Sequence, residues 1–300
     1  MAELLHTALP GLPPPRVGKV REVYDLGDEL LIVATDRISA FDVVMANGIP
    51  DKGRILNQMS SFWFEMLGDV CPHHIISTDD AEIGLRLKSH QPELQGRTTL
   101  AKKARPLAIE CVARGYISGS LLKEYRTAGG QVHDLDLPDG LIESSQLAEP
   151  IFSPATKAVE GHDENISFRQ ACDIVGHETA EQVRTWTLEL YERAARHSAT
   201  VGLILADTKF EFGETDDGII WIDEALTPDS SRYWEASLYS PGHSQASYDK
   251  QFVRDYLETL GWNKQPPGPV LPGEIVAKTR GKYMEAFERI TGKHFASESG

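Results

Sequence analysis

Hydrophobic and polar positions follow recognisable periods along much of the chain, and these periods predict its elements. Residues 17–36 alternate and turn at Leu26-Gly-Asp28, which predicts a pair of strands. Further strands are predicted at five places: near 74–77, 98–104, 107–113, 201–206 and 219–222. Apolar residues recur at helical spacing in four longer stretches, which are predicted helices: 53–67, 177–199, 248–260 and 273–291. Strands early and helices late predict an α+β fold, with a largely antiparallel N-terminal sheet and a helix-rich C-terminal part.

Charged residues directly follow two of the apolar strands. Asp207, Lys209 and Glu211 come after the run 201–206, and alternation places these three side chains on one side of an extended strand. Asp223 follows the next strand along the chain. Carboxylates of this kind hold Mg²⁺ through one or two oxygens while phosphates fill other positions. A charged hairpin face explains the pattern equally well.

The overall charge excludes some classes of partner. The chain has 300 residues, with 30 Lys and Arg against 45 Asp and Glu, and its formal net charge is −15. Such an excess of acid argues against general binding to nucleic acid or to an anionic membrane. If the substrates are anions, their site must be locally basic or neutralised by a metal.

The cysteines and the hydropathy indicate the compartment. Cys71, Cys111 and Cys172 are far apart, with neither disulfide nor zinc spacing. The N-terminus has no basic segment before an apolar one, and no apolar run approaches the roughly 20 residues of a membrane-spanning helix. We therefore expect a cytoplasmic protein.

A basic hairpin near the N-terminus is a candidate phosphate flap. In Gly18-Lys-Val-Arg-Glu-Val-Tyr24, Lys19 and Arg21 lie on the face opposite Val20. A strand–turn–strand flap of this kind could cover a triphosphate, as the glycine-rich loop of kinases does. The sequence has neither a dinucleotide-binding fingerprint nor a Walker loop. A plain amphipathic hairpin remains the alternative.

A predicted helix start offers a second phosphate site. Ser118-Gly-Ser120 opens a helix, and a helix N-terminus favours anions through its N–H groups and dipole. Arg114 and Arg232 could supply countercharge. An ordinary helix cap is the alternative.

Two polar segments could contact a substrate. Asp36-Arg-Ile-Ser-Ala-Phe-Asp42 follows an apolar strand and is either a substrate-binding turn or a self-satisfied Asx turn. Gly161-His-Asp-Glu-Asn165 precedes a helix and is at most a substrate loop, since His162 has no metal-ligand spacing.

Taken together, the motifs closely resemble the SAICAR synthetase family, the phosphoribosylaminoimidazole-succinocarboxamide synthases of purine biosynthesis. The resemblance rests on five segments in the family's order: 18–24, 36–42, 110–121, 207–213 and 223–232. The chain length and the long central insertion are similar to the longer, yeast-like branch.

The resemblance implies a fold and a reaction. The fold is α+β with a kinase-like nucleotide-binding arrangement: a β-rich lobe at 1–115 with the ATP flap, and an α+β lobe at 116–300 with the metal and substrate residues. The reaction joins L-aspartate to the carboxylate of CAIR (carboxyaminoimidazole ribonucleotide). It consumes ATP and proceeds through an acyl phosphate to SAICAR, ADP and phosphate.

The resemblance also implies residue roles. Flap residues would cover the ATP phosphates: Gly18, Lys19, Val20 and Arg21. The backbone of Glu110 and Val112 would meet the adenine edge, and Glu211 and Asp223 would hold Mg²⁺. The catalytic residues would be Lys209, Asp36 and Arg37. Four residues would grip the ribonucleotide phosphate: Arg114, Ser118, Ser120 and Arg232. Three would shape the substrate and aspartate region: Ser39, His162 and Asp163.

Two other functions fit parts of the pattern. A small-molecule kinase would use the same nucleotide half and stop at a phosphorylated product. A non-catalytic nucleotide-binding module would not need both Glu211 and Asp223. We expect CAIR and L-aspartate as substrates, no nucleic-acid or membrane partner, and a monomer.

Overall fold

The structure is a computed structural model that describes residues 3–88, 91–128, 130–157, 164–248 and 250–296. Within them the chain forms two compact units. Unit 1 comprises the described parts of Met1–Glu65, His74–Lys103 and Tyr248–Gly300, and unit 2 comprises those of Met66–His73 and Ala104–Ser247. The predicted lobes at 1–115 and 116–300 stay a prediction.

Helices and strands are interspersed along the described residues. The α-helices are α1 Lys52–Leu67, α2 Asp80–Leu87, α3 Gly119–Ala128, α4 Phe168–Val175, α5 His177–Thr200, α6 Gln251–Thr259 and α7 Gly273–Thr291. The first eight strands are β1 Arg16–Val17, β2 Arg21–Asp25, β3 Glu29–Ala34, β4 Ser39–Ala40, β5 Val43–Val44, β6 Ile75–Ser77, β7 Thr98–Lys102 and β8 Arg105–Pro106. The others are β9 Ile109–Tyr116, β10 Gln131–Val132, β11 Leu135–Asp136, β12 Gln146–Phe152, β13 Ala155–Thr156, β14 Leu203–Thr215, β15 Gly218–Ile222 and β16 Ser231–Glu235. None of the helices in the described ranges is long and apolar enough to cross a membrane.

Unit 1 is built on an antiparallel five-stranded sheet with the order β1-β2-β3-β7-β6. Its core includes Tyr24, Leu31 and Leu100, which follow one another across β2, β3 and β7. The alternation that predicted a strand pair between 17 and 36 is therefore confirmed. The predicted helices at 53–67 and 273–291 correspond to α1 and α7.

The end of the described chain completes unit 1. Asn47 forms two hydrogen bonds with the backbone of Leu271, at 3.1 and 2.7 Å. Arg280 on α7 donates to the carboxylate of Asp51 at 2.5 Å, just before α1. Unit 1 therefore depends on contacts between segments more than 200 residues apart.

Unit 2 is built on an antiparallel seven-stranded sheet. Its main order is β12-β9-β14-β15, with β13 beside β9 and with β8 and β16 beside β14. The long helix α5 packs on β14, β9 and β12. The Tyr191 hydroxyl donates to the Leu205 carbonyl at 2.7 Å, and a Cβ on Gly115 would lie 2.1 Å from that hydroxyl. A residue without a side chain is therefore needed at this point of β9.

The two units together confirm the α+β class with antiparallel sheets. The predicted helix at 177–199 is α5, and its buried stripe includes Ala180, Val183, Leu190 and Ala194, as the periodicity indicated. The side of the unit 2 sheet that faces away from α5 carries charged side chains.

Candidate active site

One face of the unit 2 sheet is charged. In the ladder between β9 and β14, Asp207 lies opposite Arg114. Lys209 and Glu211 follow Asp207 at alternate positions, and Glu110 alternates with Arg114, so these side chains leave the same side of the sheet. The predicted alternation of Asp207, Lys209 and Glu211 is confirmed. We call this surface the charged face.

Lys209 lies between two carboxylates of the charged face. Its Nζ is 2.5 Å from Glu110 Oε1 and 3.7 Å from Glu211 Oε1. Burial alone would lower the pKa of Lys209, but the negative charges of Glu110, Glu211 and Asp223 outweigh burial and raise that pKa. Lys209 is therefore a fixed positive charge at neutral pH.

Glu211 and Asp223 come together because β14 and β15 are paired. Glu211 lies opposite Ile222, the residue before Asp223. Asp223 has a φ of 71°, a left-handed conformation that is uncommon outside glycine and is concentrated at functional sites. Lys157 Nζ donates to Glu211 Oε2. Two acids and two lysines thus meet at this end of the charged face.

Glu211 and Asp223 suit a metal ion that takes most of its ligands from water and from a substrate. No group of three or more His, Cys, Asp or Glu side chains suited to a metal occurs in the described part of the chain. Mg²⁺ is typically bound by one or two carboxylates together with waters and substrate phosphates. Glu211 on β14 and Asp223, directly after β15, supply two hard oxygen donors, and their chemistry fits Mg²⁺ better than a closed zinc or calcium site.

An arginine pair lies at the other end of the charged face. Arg114 Nη1 is 3.0 Å from Asp207 Oδ2, and Arg232 Nη1 donates to the same oxygen. Ser118 Oγ lies 3.2 Å from that oxygen and 3.1 Å from Arg232 Nη1. Ser120 Oγ is 3.4 Å from Arg114 Nη2. The structure thus brings together all four residues predicted to grip a phosphate, at the start of α3.

The predicted flap is the turn between β1 and β2. Gly18 N donates to the Arg21 carbonyl at 2.8 Å and closes the turn. Lys19, at the tip, is exposed and pairs with Asp42. The ammonium group of Lys19 is therefore placed on the surface of unit 1.

Arg37 holds this turn from inside the unit. Its Nε donates to the Lys19 carbonyl at 3.1 Å, and its Nη2 donates to the carbonyls of Gly18 and Arg21 at 3.1 and 3.2 Å. Its Nη1 is 2.8 Å from Glu22 Oε1. Burial would raise the pKa of Glu22, but hydrogen bonds from Thr7 and Arg37 outweigh it, so the pKa is lowered and the pair stays ionised.

The two residues predicted to be catalytic in unit 1, Asp36 and Arg37, are both buried, and their catalytic role stays a prediction. Asp36 is 1% exposed and accepts hydrogen bonds from Leu4 N and Gly53 N, both at 2.9 Å, and from Arg97 Nη1 at 3.0 Å. Arg37 is 4% exposed and donates to the Lys19 carbonyl and to Glu22. Both residues position the backbone of unit 1.

The expected backbone contact of Glu110 and Val112 with adenine stays a prediction. β9 is an interior strand: Ala155 lies opposite Glu110 on one side, and β14 pairs on the other. The Val112 carbonyl accepts from Ser153 N at 2.9 Å. This backbone offers no open strand edge, whereas the Glu110 side chain takes part in the charged face through Lys209.

Four further residues are predicted to bind a cofactor or substrate: Val20, Ser39, His162 and Asp163. The Val20 carbonyl accepts from Thr35 N at 3.0 Å, and Ser39 is half-buried in β4. His162 and Asp163 lie outside the described residues. The roles of Val20 and Ser39 stay predictions.

Sequence reasoning missed two residues of the charged face. Lys157 follows a turn-rich stretch with no periodic signal, although a lysine beside an acidic cluster is the type of residue to look for. Asp207 was placed on the correct face but given no role, because its two arginine partners are 93 and 25 residues away.

Comparisons with known proteins point to one family. The family model for SAICAR synthetase matches residues 16–269. The chain is 55% identical to the phosphoribosylaminoimidazole-succinocarboxamide synthase of Geobacter sulfurreducens, over 98% of this chain and 99% of that protein. It is similar to a solved SAICAR synthase from Saccharomyces cerevisiae complexed with SAICAR, with a TM-score of 0.88 and 41% identity over 98% of this chain and 100% of that one. A SAICAR synthetase in complex with ADP matches with a TM-score of 0.68 and 25% identity, over 94% of this chain and 100% of that chain.

Proposed function

The chain belongs to the SAICAR synthetase family, and on that premise we propose which of its residues carry out the family's reaction. The reaction is the ATP-dependent ligation of L-aspartate to the carboxylate of CAIR in purine biosynthesis, and it yields SAICAR, ADP and phosphate. The enzyme is a ligase with small-molecule substrates, and the higher TM-score of the yeast structure supports the predicted yeast-like branch.

The chemistry explains why the charged face holds cations and carboxylates. A carboxylate does not react with an amine at neutral pH, so it is first converted into an acyl phosphate by the γ-phosphoryl group of ATP. The amine of aspartate then attacks the acyl carbon, and inorganic phosphate leaves. Phosphoryl transfer depends on positioning and on charge neutralisation more than on a protein nucleophile.

The observation that carries the assignment is the layout of the charged face. The arginine pair lies around Asp207, and the acid–lysine cluster lies around Glu211 on the same strand. Four residues of strand separate these positions by about 13 Å. A ribonucleotide lying along β14 would reach from its phosphate at one end to its reacting carboxylate at the other.

Each end of the charged face has a proposed role. Arg114, Ser120 and Arg232 bind the phosphate of CAIR through charge-assisted hydrogen bonds. Lys209 provides fixed positive charge for the transferring phosphoryl group. Glu211 and Asp223 would hold Mg²⁺, which would supply charge neutralisation for the ATP phosphates.

The turn between β1 and β2 is the proposed flap. Lys19 is an exposed cation on a turn whose carbonyls are fixed by Arg37. We assign Lys19 to the phosphates of ATP, with Gly18, Val20 and Arg21 forming the turn that carries it. The Lys19 ammonium pairs with Asp42 on the surface.

We also propose a cytoplasmic location. Cys71, Cys111 and Cys172 are free thiols, which fits the reducing cytoplasm. The monomeric state stays a prediction.

One assay tests the reaction as a whole. We expect repeated turnover of ATP to ADP to require CAIR and L-aspartate together, with SAICAR formed in equal amount. A kinase would turn over repeatedly with CAIR alone and keep the phosphate on its product. A binding module would release none. Either result would contradict the ligase.

The arginine pair gives a prediction about substrate affinity. Arg232→Ala should raise the KM for CAIR by about 10- to 150-fold, because one charge-assisted contact contributes roughly 1.5–3 kcal/mol. The KM for ATP should stay nearly unchanged. Arg193→Ala is a matched control, since Arg193 pairs with Asp69 on the surface of unit 2. An equal rise in the KM for CAIR and the KM for ATP would show that Arg232 has a structural role instead.

A further inference from the structure

Asp207 has no step in the reaction proposed above, although it lies at the centre of the arginine pair. It is 6% exposed, and its Oδ2 is shared by three donors: Arg114 Nη1 at 3.0 Å, Ser118 Oγ at 3.2 Å and Arg232 Nη1. Its position on β14 is fixed from both sides, because Arg114 and Arg232 lie opposite it on β9 and β16.

Asp207 contacts Nη1 of each arginine, and Nη2 of each arginine lies beside the first two residues of α3. Arg114 Nη2 is 3.4 Å from Ser120 Oγ. Arg232 Nη2 lies against Gly119, the first residue of α3. A side chain at that position would clash with it, because a Cβ built on Gly119 would be only 2.5 Å from this nitrogen. Because Asp207 engages Nη1 of both arginines, both Nη2 groups meet at the N-terminus of α3.

Electrostatics gives the same carboxylate a second effect. Two guanidinium groups so close together would repel each other, and burial lowers the pKa of Arg114 in spite of its contact with Asp207. One carboxylate between them removes most of the repulsion and leaves a net charge of about +1 on the three groups. The remaining positive charge and the N–H groups of α3 suit a phosphate.

We propose that Asp207 is a positioning residue that aims the two arginines at the phosphate of the ribonucleotide substrate. This inference rests on the proposed function, because it presupposes that Arg114 and Arg232 bind that phosphate. Asp207 does not contact the phosphate, since two anions would repel each other. It acts through the direction and the spacing of the guanidinium groups.

Two variants test the inference. Asp207→Asn keeps the shape and removes the charge, and Asp207→Glu keeps the charge and moves the carboxylate by one methylene. In both variants we expect the KM for CAIR to rise about tenfold or more, as expected for the loss of one charge-assisted contact. The KM for ATP and the kcat at saturating CAIR should change by less than about threefold. Inhibition by ribose 5-phosphate, which carries only the sugar phosphate, should weaken by the same factor as CAIR binding.

Unit 1 offers a matched control. Asp51 is also a buried carboxylate between two arginines, 2.5 Å from Arg280 Nη2 and 3.5 Å from Arg54 Nη1. Asp51→Asn should lower the melting temperature, as the loss of a buried ionic partner does, and leave the ratio of the two KM values unchanged.

The outcomes separate the inference from the function on which it rests. Suppose that Arg232→Ala raises the KM for CAIR but both Asp207 variants have a normal KM for CAIR. Asp207 then does not position the arginines, whereas the assignment of the phosphate site is retained. If Arg232→Ala also leaves CAIR unaffected, the phosphate assignment itself fails. If the Asp207 variants raise the KM for ATP as much as the KM for CAIR, Asp207 has only a structural role. Should Asp207→Asn fail to fold, Asp207→Glu decides, because it retains the buried charge balance.

Discussion

Glu211→Gln and Asp223→Asn should each lower kcat by about 100- to 1,000-fold, the usual loss when one preorganised electrostatic group at a reacting centre is removed. Both substitutions keep the size of the side chain and remove the negative charge that would hold Mg²⁺. Glu211 is mostly buried beside Lys157 and Lys209, so the amide also leaves two ammonium groups with less countercharge. The Mg²⁺ concentration needed for half-maximal activity should therefore rise as well.

The measurement is ADP release over a range of Mg²⁺ concentrations, with circular dichroism to verify folding. Glu214→Gln is the matched control, because Glu214 lies on the same strand, is exposed and pairs with Arg105. It should keep full activity. Full activity in folded Glu211→Gln or Asp223→Asn would remove the metal assignment.

The second large effect concerns the path of an oxygen atom. If the carboxylate of CAIR is phosphorylated, CAIR labelled with ¹⁸O in both carboxylate oxygens should transfer one labelled oxygen to each inorganic phosphate released. The other should remain in the amide carbonyl of SAICAR. The reason is that the acyl carbon–oxygen bond breaks when the amine of aspartate displaces phosphate, so the bridging oxygen leaves with phosphorus. Mass spectrometry of the phosphate gives the answer in one turnover.

A reaction in ¹⁸O-labelled water with unlabelled CAIR provides the control. Label from water in the phosphate would reveal hydrolysis of ATP. Unlabelled phosphate from labelled CAIR, with SAICAR still formed, would exclude the acyl phosphate and leave the charged face without its proposed purpose.

Periodicity predicted the long elements of the fold well. α1, α5 and α7 agree with the predicted helices within about two residues, because each buries an apolar stripe that the sequence displays. β16 was not predicted as a strand, since it has five residues and its pairing with β14 depends on a segment more than 20 residues away. The short helix α2, capped by Asp79, was missed as well.

The site was predicted unevenly, for a physical reason. Strand alternation placed Lys209 and Glu211 on one face without knowledge of the partner strands. For Asp36 and Arg37 the residue types suggest chemistry, and nothing in the sequence indicated that both would be buried and hydrogen-bonded to backbone groups. A sequence shows which residues are charged, whereas burial depends on distant segments. The irregular register of β14 and β16 between Leu205 and Asp207 is likewise invisible before the sheet is assembled.

The order in which the two units become complete during synthesis follows from the composition of unit 1. The residues of unit 2 end at Ser247, whereas unit 1 includes both Asn47 and its partner Leu271, and both Asp51 and its partner Arg280. On a ribosome, which extends the chain from its N-terminus at about 5–20 residues per second, unit 2 has its full sequence first. The earliest-made strands must wait roughly ten seconds or more for α7, and contacts between such distant segments also form slowly. The strands of unit 1 that are made before unit 2 therefore belong to the unit that is completed later.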